Sequence, residues 1–262
     1  MPYAHHTDPV AKWEQQYSVT KSHIIPFILD AFPLGPGSSI LEIGCGEGGV
    51  LKAFTDKGFR CYGVDIAAGR IENARKLFEK EISENKISFF AGNMYEMREF
   101  QTIQGQIDLI VLKDTIEHIV DQAKMMRSLH TYLKPDGAVF VGFPPWRNPF
   151  GGHQQLADSF LRYVPWFHIL PKSAYHKILQ ICAEPDMRQK VLLEIYDTRL
   201  SIHKFEKLLH LTGWKILRRQ FYLFNPIYEY KFGIKGKKQF KLITRLPFIR
   251  DFVSTGVYYL VS

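Results

Sequence analysis

Between residues 38 and 143, short apolar runs typical of β-strands alternate with segments whose apolar residues have helical spacing. Short runs rich in β-branched and aromatic residues predict five strands, at 38–44, 59–65, 86–92, 106–113 and 137–143. Helical spacing follows at 50–58, 69–83 and 121–133. Strands that alternate with helices predict an α/β chain with a parallel sheet and helices on both faces. Lys-Pro-Asp-Gly at 134–137 predicts a helix end and a turn before the strand from Ala138 to Phe143.

The regular pattern is lost after residue 143 and returns only in part. Prolines and glycines predict an irregular inserted cap over residues 144–200, the breakers being Pro149, Gly151, Gly152, Pro165, Pro171 and Pro185. A helical pattern at 201–214 carries apolar Ile202, Phe205, Leu208 and Leu209, and strands are predicted at 215–224 and 257–262. A second irregular and basic stretch covers 225–253. We expect a single domain over 1–262, with a core at about 36–143 and two cap insertions, at about 144–200 and 225–253.

Composition limits the class of protein. The 262 residues are 46% hydrophobic, which is enough for one sizeable core. The longest uncharged apolar runs are far shorter than the roughly 18 residues that span a bilayer, and residues 1–16 do not have the pattern of a secretion signal. We therefore expect a cytoplasmic location. The three cysteines, Cys45, Cys61 and Cys182, are widely spaced and predict reduced thiols rather than a disulfide or zinc framework.

Charge is distributed unevenly between the two parts of the chain. Residues 1–143 hold 15 Lys and Arg against 18 Asp and Glu, a net charge of −3, whereas residues 144–262 hold 19 against 8, a net charge of +11. A basic C-terminal half indicates an anionic substrate, an acidic membrane surface or nucleic acid as a partner. A solvated basic face accounts for the asymmetry equally well.

The most informative motif is the glycine-rich loop that follows the first predicted strand. Gly44 to Gly49 reads G-C-G-E-G-G, and Asp65 ends the next strand. Such a loop suits any nucleoside-containing cofactor, because glycines let the backbone approach the ligand closely. Glu42 distinguishes between two classes of such cofactor, the dinucleotides and S-adenosylmethionine. Its carboxylate would repel the pyrophosphate of a dinucleotide, whereas it attracts the sulfonium and ammonium groups of S-adenosylmethionine. Asp65 can accept both ribose hydroxyls in either case.

The segment Glu42-Ile43-Gly44-Cys45-Gly46-Glu47-Gly48 resembles the first motif of class I S-adenosylmethionine-dependent methyltransferases, of the type 11 and 12 groups. The order and spacing of elements continue the resemblance over about 36–143. It implies a Rossmann-like sheet of seven strands, mostly parallel, completed by an antiparallel hairpin from about 201–224 and 255–262. It further implies S-adenosyl-L-methionine as cofactor, bound by Glu42, Gly44, Cys45, Gly46, Asp65, Ile66, Asn93, Met94 and Lys113. Asn93 departs from the aspartate that is commoner in the family.

Methyl transfer needs mainly alignment of the acceptor and, for a hydroxyl, removal of a proton. The loop after the fifth strand would overhang the transferred methyl group, and His153 within it is our first candidate for the base. Asp114, at the end of the fourth strand, is the second. Each residue also suits a purely structural role. Glu117 and His118 lack a further ligand at helical spacing and predict polar packing rather than a metal site.

The expected acceptor is a small molecule, either anionic or apolar, methylated on oxygen or nitrogen. Phe143-Pro-Pro-Trp differs from the motif of adenine N-methyltransferases, because it begins with Phe and follows the fifth strand rather than the fourth. Nucleic acid is therefore disfavoured as a substrate. The basic stretch from Tyr228 to Phe252 keeps two alternatives open, RNA binding and peripheral contact with an anionic membrane. For the membrane, the predicted apolar contacts are Phe240, Leu242, Ile243, Leu246, Phe248 and Ile249.

Overall fold

The computed structural model describes residues 9–262, which form one mixed sheet with helices on both of its faces. The strands are β1 (Ser39–Ile43), β2 (Arg60–Asp65), β3 (Ile87–Ala91), β4 (Ile107–Lys113), β5 (Leu133–Phe143), β6 (Ile216–Phe224), β7 (Lys237–Lys238) and β8 (Gly256–Val261). Their order across the sheet is β3-β2-β1-β4-β5-β8-β6-β7. The pairs among β1 to β5 are parallel, and β8 is antiparallel to both β5 and β6. The α/β prediction is confirmed, with all seven predicted strands present.

The helices enclose the sheet and continue into the C-terminal half. In the first half they are α1 (Pro9–Val19), α2 (Ile25–Leu29), α3 (Gly49–Thr55), α4 (Ala68–Leu77), α5 (Glu79–Ser83), α6 (Arg98–Gln101) and α7 (Gln122–Tyr132). In the second half they are α8 (Lys172–Ile181), α9 (Asp186–Thr198), α10 (Ile202–Leu211), α11 (Ile227–Phe232), α12 (Lys241–Thr244) and α13 (Pro247–Val253). A π-helical turn joins α1 to α2 at Thr20–Ile24, and short 3₁₀ turns occur at Ile116–His118, Gln154–Leu156, Phe160–Tyr163 and Phe167–Ile169.

The strand residues alternate between two buried clusters, one on each face of the sheet. Leu41 and Ile43 of β1 belong to the cluster that also holds α7 and α10, whereas Ile40 belongs to the cluster with α3 and α4. This alternation is the period of two expected for strands covered on both faces. The helical prediction at 201–214 is confirmed, because Ile202, Phe205, Leu208 and Leu209 all lie in the core.

Three elements differ from the prediction. The turn expected at 134–137 is part of β5, because Leu133 already pairs with Ile107 and the register then shifts before Ala138. The stretch at 225–253 contains α11, α12 and α13. It also contains the two-residue strand β7, which was not predicted and which pairs with β6. The cap at 144–200 is irregular only in its first part, since α8 and α9 follow. Pro171 and Pro185 directly precede these helices and start them rather than interrupt them.

The cap residues have a hydrophobic cluster of their own. It is separate from the two sheet clusters and comprises Trp146, Ala157, Leu161, Phe167, Tyr175, Leu179, Leu192, Ile195 and Tyr196. The boundaries of the predicted single domain stay a prediction, and its first eight residues lie outside the part described. All three cysteines are free thiols, as expected. Among the helices of residues 9–262, none has the length and apolar character needed to cross a membrane.

Candidate functional site

The carboxyl ends of β1 and β4 lie side by side at the place where the strand order reverses direction. In open α/β sheets this switch point is where ligands bind, because the following loops turn to opposite faces and leave a crevice between them. The residues predicted for the cofactor come from the ends of β1, β2, β3 and β4. The topology therefore brings them to one edge of the sheet.

The loop after β1 depends on glycine at two positions that face neighbouring side chains. Gly44 and Gly46 have φ angles of +77° and +54°, a conformation that L-residues with a Cβ rarely adopt. A Cβ at Gly44 would lie 2.7 Å from Oγ1 of Thr115, and one at Gly46 would lie 2.2 Å from Nη2 of Arg70. The close approach that the sequence assigned to a ligand is thus made in part by side chains of the protein itself.

Asp65 ends β2 and fixes the loop. One carboxylate oxygen accepts a hydrogen bond of 2.8 Å from the backbone amide of Gly46, and the other accepts one of 2.9 Å from that of Ala67. Arg70 lies near the same carboxylate, with 3.8 Å between Nη1 and Oδ2, and donates two hydrogen bonds to Glu47. Each Asp65 oxygen has a second lone pair, so the carboxylate keeps acceptor capacity after it has positioned the backbone.

Glu42 lies beneath the loop and is 2% exposed. Its Oε2 atom has no hydrogen-bond partner within residues 9–262. Burial raises the pKa of Glu42 well above its ordinary value, although the Lys113 ammonium acts in the opposite direction. A buried carboxyl group without a full set of partners is costly. This position is therefore suited to a cation that the protein does not itself supply.

Lys113 and Asp114 form a second charged pair at the end of β4. The Lys113 ammonium donates to Oδ2 of Asp114, and the Asp114 side chain is 40% exposed. Burial alone would raise the pKa of Asp114, but Lys113, Lys231 and His153 together lower it. Asp114 adopts a φ angle of +52°, which is uncommon for a residue other than glycine. Its carboxylate is thus held ionised at the mouth of the crevice.

The remaining predicted cofactor residues have different orientations. The Cys45 and Met94 side chains are buried in opposite sheet clusters, so they can offer the crevice only their backbones. Ile66 is 78% exposed just beyond β2. Asn93 uses its side chain locally, since Oδ1 accepts from the Tyr95 amide and Nδ2 donates to Glu96.

His153 lies beside a pair of residues that the sequence analysis set apart as structural. Its ring centroid is 5.2 Å from that of His118, and potential ligand atoms of His153, His118 and Glu117 all lie within 4.8 Å of one another. Burial, together with the neighbouring His118, lowers the pKa of His153 to about 3. The ring is therefore neutral at pH 7, and its proton affinity is lower than that assumed for a general base.

Three further cations lie around the site, of which Arg70 and Lys12 were not singled out from the sequence and Lys231 was predicted only as part of the basic stretch from Tyr228 to Phe252. Arg70 covers Gly46, and Lys12 on α1 lies within electrostatic range of Glu47 and Asp114. Lys231 on α11 acts on Asp114 in the same way. Burial lowers the pKa of Lys231 to about 8, while Asp114 opposes the shift. No local motif marks these residues, because only the packing of α1, α4 and α11 around the crevice brings them there.

A cavity of about 360 Å³ lies between the start of the cap and the segment after β6. Its wall is mainly apolar and is formed by Phe150, Phe224, Tyr228, Phe232 and Ile234, with Lys231 as its cation. Lys231 also acts electrostatically on Asp114, which follows β4. Among the aromatic residues of the cap, Phe150 lines this cavity, whereas Trp146 and Phe167 belong to the cap core.

Comparison with known proteins identifies the family to which this chain belongs. A family model described as a methyltransferase domain matches residues 13–180. Phosphoethanolamine N-methyltransferase 2 of Caenorhabditis elegans is 28% identical over 132 residues, which are 49% of this chain and 28% of that protein. Ubiquinone biosynthesis O-methyltransferase of Pseudomonas aeruginosa is 29% identical over 106 residues, which are 40% of this chain and 44% of that protein. The matches thus span less than half the length of either relative.

A solved structure agrees on the architecture. Geranyl diphosphate C-methyltransferase from Streptomyces coelicolor, in complex with Mg²⁺, geranyl diphosphate and S-adenosyl-L-homocysteine, has a TM-score of 0.56 at 14% identity. The match covers 92% of this chain and 78% of that one. At this level of identity the likeness shows the fold alone.

Proposed function

Because this chain belongs to the methyltransferase-domain family, as its sequence resemblance predicted, we propose that it is an S-adenosylmethionine-dependent methyltransferase. Its proposed acceptor is an oxygen or nitrogen atom of a small molecule. Both relatives named above are methyltransferases of small molecules by their names, one on nitrogen and one on oxygen. The acceptor atom of this chain stays open between the two.

The observation that carries the proposal is the unpartnered carboxyl oxygen of Glu42 beneath the glycine loop. A phosphate-bearing cofactor would bring a like charge to this carboxylate, whereas a sulfonium and an ammonium bring opposite charges. Gly44 and Gly46 supply a loop backbone in a conformation that residues with a Cβ rarely adopt, and Asp65 keeps acceptor capacity after it has bound the Gly46 amide. The residues present therefore fit S-adenosylmethionine.

Each predicted contact can be given a role in holding this cofactor. Asp65 would accept the ribose hydroxyls, exposed Ile66 would cover one face of the adenine, and Asn93 with the Met94 backbone would border the ring edge. Glu42 would face the positive charges, and Lys113 would face the carboxylate of the methionine part. When bound, the cofactor supplies an electrophilic methyl carbon. The residues of the chain then have to orient the acceptor and exclude water.

The cavity beside Lys231 is the proposed acceptor site. Its apolar wall would exclude water from a largely apolar molecule, and Lys231 would attract an anionic or hydrogen-bond-accepting group. Asp114 is the more accessible of the two predicted proton acceptors, since its side chain is 40% exposed. Its pairing with Lys113 lowers its pKa, so both candidates are weaker bases than their ordinary forms. His153 stays a candidate by its position in the first loop of the cap.

We further propose that the basic C-terminal stretch contacts an anionic membrane rather than RNA, because of the side chains that it exposes. Large apolar side chains of α12, α13 and their flanks are exposed by 39–71%, namely Phe240, Leu242, Leu246, Phe248 and Ile249. Lys237, Lys238, Lys241 and Arg245 are exposed in the same segment. A basic surface with protruding apolar side chains suits lipid headgroups and acyl chains. Such a surface would bring an apolar acceptor near the cavity.

The proposal is tested by calorimetric titration with S-adenosyl-L-homocysteine. We expect Asp65→Asn to bind this ligand at least tenfold more weakly than the natural chain, because charge-assisted hydrogen bonds to the ribose are lost. Asp136→Asn is the matched control, since Asp136 is exposed in β5 away from the crevice. Equal affinity in the Asp65 variant and the natural chain would refute the assignment of this crevice as the cofactor site.

A further inference from the structure

Glu117, His118 and His153 approach one another from two separate parts of the chain. Glu117 and His118 lie in the 3₁₀ turn after β4, and His153 lies in the first loop of the cap. One oxygen or nitrogen atom from each lies within 4.8 Å of those from the other two. No further histidine or cysteine follows Glu117 and His118 at helical spacing in the sequence. The fold supplies one from the cap instead.

The polar atoms of this cluster lack the partners that buried groups normally have. Glu117 is 3% exposed, and neither of its carboxylate oxygens has a hydrogen-bond partner within the part of the chain described. The same holds for Nδ1 of His153. Buried side-chain polar atoms almost always find a partner in the protein or in bound solvent. Two unpartnered carboxylate oxygens beside two imidazoles therefore indicate that a group from outside the chain completes the site.

We propose that Glu117, His118 and His153 bind one divalent transition-metal ion of the zinc type. Two imidazoles and one carboxylate form a ligand set that zinc and its first-row neighbours favour, whereas Mg²⁺ and Ca²⁺ favour sites built from oxygen alone. Zinc bonds of about 2.1 Å place tetrahedral ligands roughly 3.4 Å apart. The accessible His118 side chain can turn to close that gap.

The three ligands leave at least one coordination position open. Asp114 lies nearby, since its carboxylate acts electrostatically on all three residues of the cluster. An ion here would be able to orient an oxygen or nitrogen atom of the acceptor next to the crevice. This last role rests on the methyl transfer proposed above, whereas binding of the ion does not.

Calorimetric titration with Zn²⁺ tests the site in the full chain after removal of metals with a chelator. We expect one ion per chain with a Kd below about 1 μM, and a loss of affinity of about 100-fold or more in Glu117→Gln and in His118→Ala. Glu117→Gln preserves the shape of the side chain, and His118 is exposed, so both variants should fold. Co²⁺ gives a second readout, because its visible absorption should show a nitrogen- and oxygen-ligated site that both variants lose.

His176→Ala is the control, because His176 lies on α8 and contacts Gln180 rather than the cluster. It should bind zinc as the natural chain does. All variants keep the adjacent His5 and His6, so any zinc binding by these two residues is the same in each titration. The proposal is wrong if the natural chain does not bind Zn²⁺ at micromolar concentration. It is equally wrong if Glu117→Gln and His118→Ala both bind the ion with unchanged affinity and spectrum. Neither result depends on binding of S-adenosylmethionine, so the proposed function is tested separately.

Discussion

Glu42 combines near-complete burial with a carboxyl oxygen that has no partner among the described residues. Such a group lowers stability in the empty protein, because its desolvation is not offset by hydrogen bonds. In the proposed function this residue would also make the crevice selective, because the positive groups of the cofactor would stabilise the ionised carboxylate. The proposal thus links a local cost in stability to recognition of a positively charged ligand.

Glu42→Gln should separate these two effects. We expect the free energy of unfolding to stay the same or to rise, since the amide is easier to bury than a carboxylate. Affinity for S-adenosylmethionine should fall by about tenfold, equivalent to about 1.4 kcal/mol, while affinity for S-adenosyl-L-homocysteine, which lacks the sulfonium charge but keeps the ammonium, should change less. Parallel titrations of the variant and the natural chain with both ligands measure the two losses of affinity. An equal loss for both ligands would show that Glu42 does not respond to the sulfonium charge.

Single residues could be predicted from the sequence where a local motif names them. Asp65 and the glycines can be named in this way as candidates, because their proposed roles depend on the loop in which they stand. Thr115 and Arg70, which face Gly44 and Gly46, could not be found, since no spacing rule connects them to the loop. The approach of His153 to Glu117 and His118 could not be predicted either, because His153 comes from another part of the chain.

Among the elements, the start of the cap contains a buried histidine that hydrogen-bonds to two of its other residues. His168 is fully buried, its Nε2 lies 2.7 Å from the Trp146 carbonyl oxygen, and its Nδ1 lies 3.0 Å from Nε2 of Gln154. Nε2 must carry the proton in order to donate to the carbonyl, so Nδ1 accepts from the amide of Gln154. The cap therefore needs this imidazole in its neutral form. Burial lowers the pKa of His168 to about 4 accordingly.

Mild acid should therefore destabilise the cap. The unfolded chain binds this proton with a pKa near 6.5, so stability is intact above that pH and falls as the pH drops from about 6.5 to 4. The loss attributable to His168 is at most about 3 kcal/mol. His168→Gln should be less stable at pH 7.5 but lose less stability on acidification. Urea unfolding followed by tryptophan fluorescence measures both profiles, with His176→Gln as control. Identical slopes in the natural chain and the His168 variant would contradict this account.

The sequence predicted elements well where periodicity was long and strong. The five parallel strands and α10 follow directly from runs of apolar residues at spacings of two or of three to four. The cap was predicted as irregular because Pro171 and Pro185 were interpreted as breakers. A proline at the start of a helix leaves no intrahelical hydrogen bond unmade, so the same residue type serves α8 and α9 as a beginning.

The whole molecule has its excess positive charge in the half that also carries the exposed apolar side chains of α12 and α13. Two parts of the chain that are distant in sequence meet at the crevice, since Lys12 and Lys231 both act on Asp114. The charge imbalance could be counted from the sequence. The meeting of these cations at one carboxylate could not, because it depends on how α1 and α11 pack over the sheet.

Binding to anionic vesicles should depend on the apolar side chains of this surface. We expect the natural chain to sediment with phosphatidylglycerol-containing vesicles, and the double variant Leu242→Ser, Phe248→Ser to bind at least tenfold more weakly, because each side chain contributes about 1.5–3 kcal/mol when fully buried. Val120→Ser is the control, since Val120 is 84% exposed before α7. Unchanged sedimentation of the double variant, or preferential binding to RNA over vesicles, would exclude this surface as a membrane contact.

The identity of the cofactor is tested most directly by titrating the natural chain with S-adenosylmethionine and with NAD under the same conditions. The buried carboxyl group of Glu42 beneath the glycine loop predicts one S-adenosylmethionine per chain, bound at least 100-fold more tightly than NAD, a difference of about 2.7 kcal/mol or more. Binding of NAD with equal or higher affinity would contradict the account.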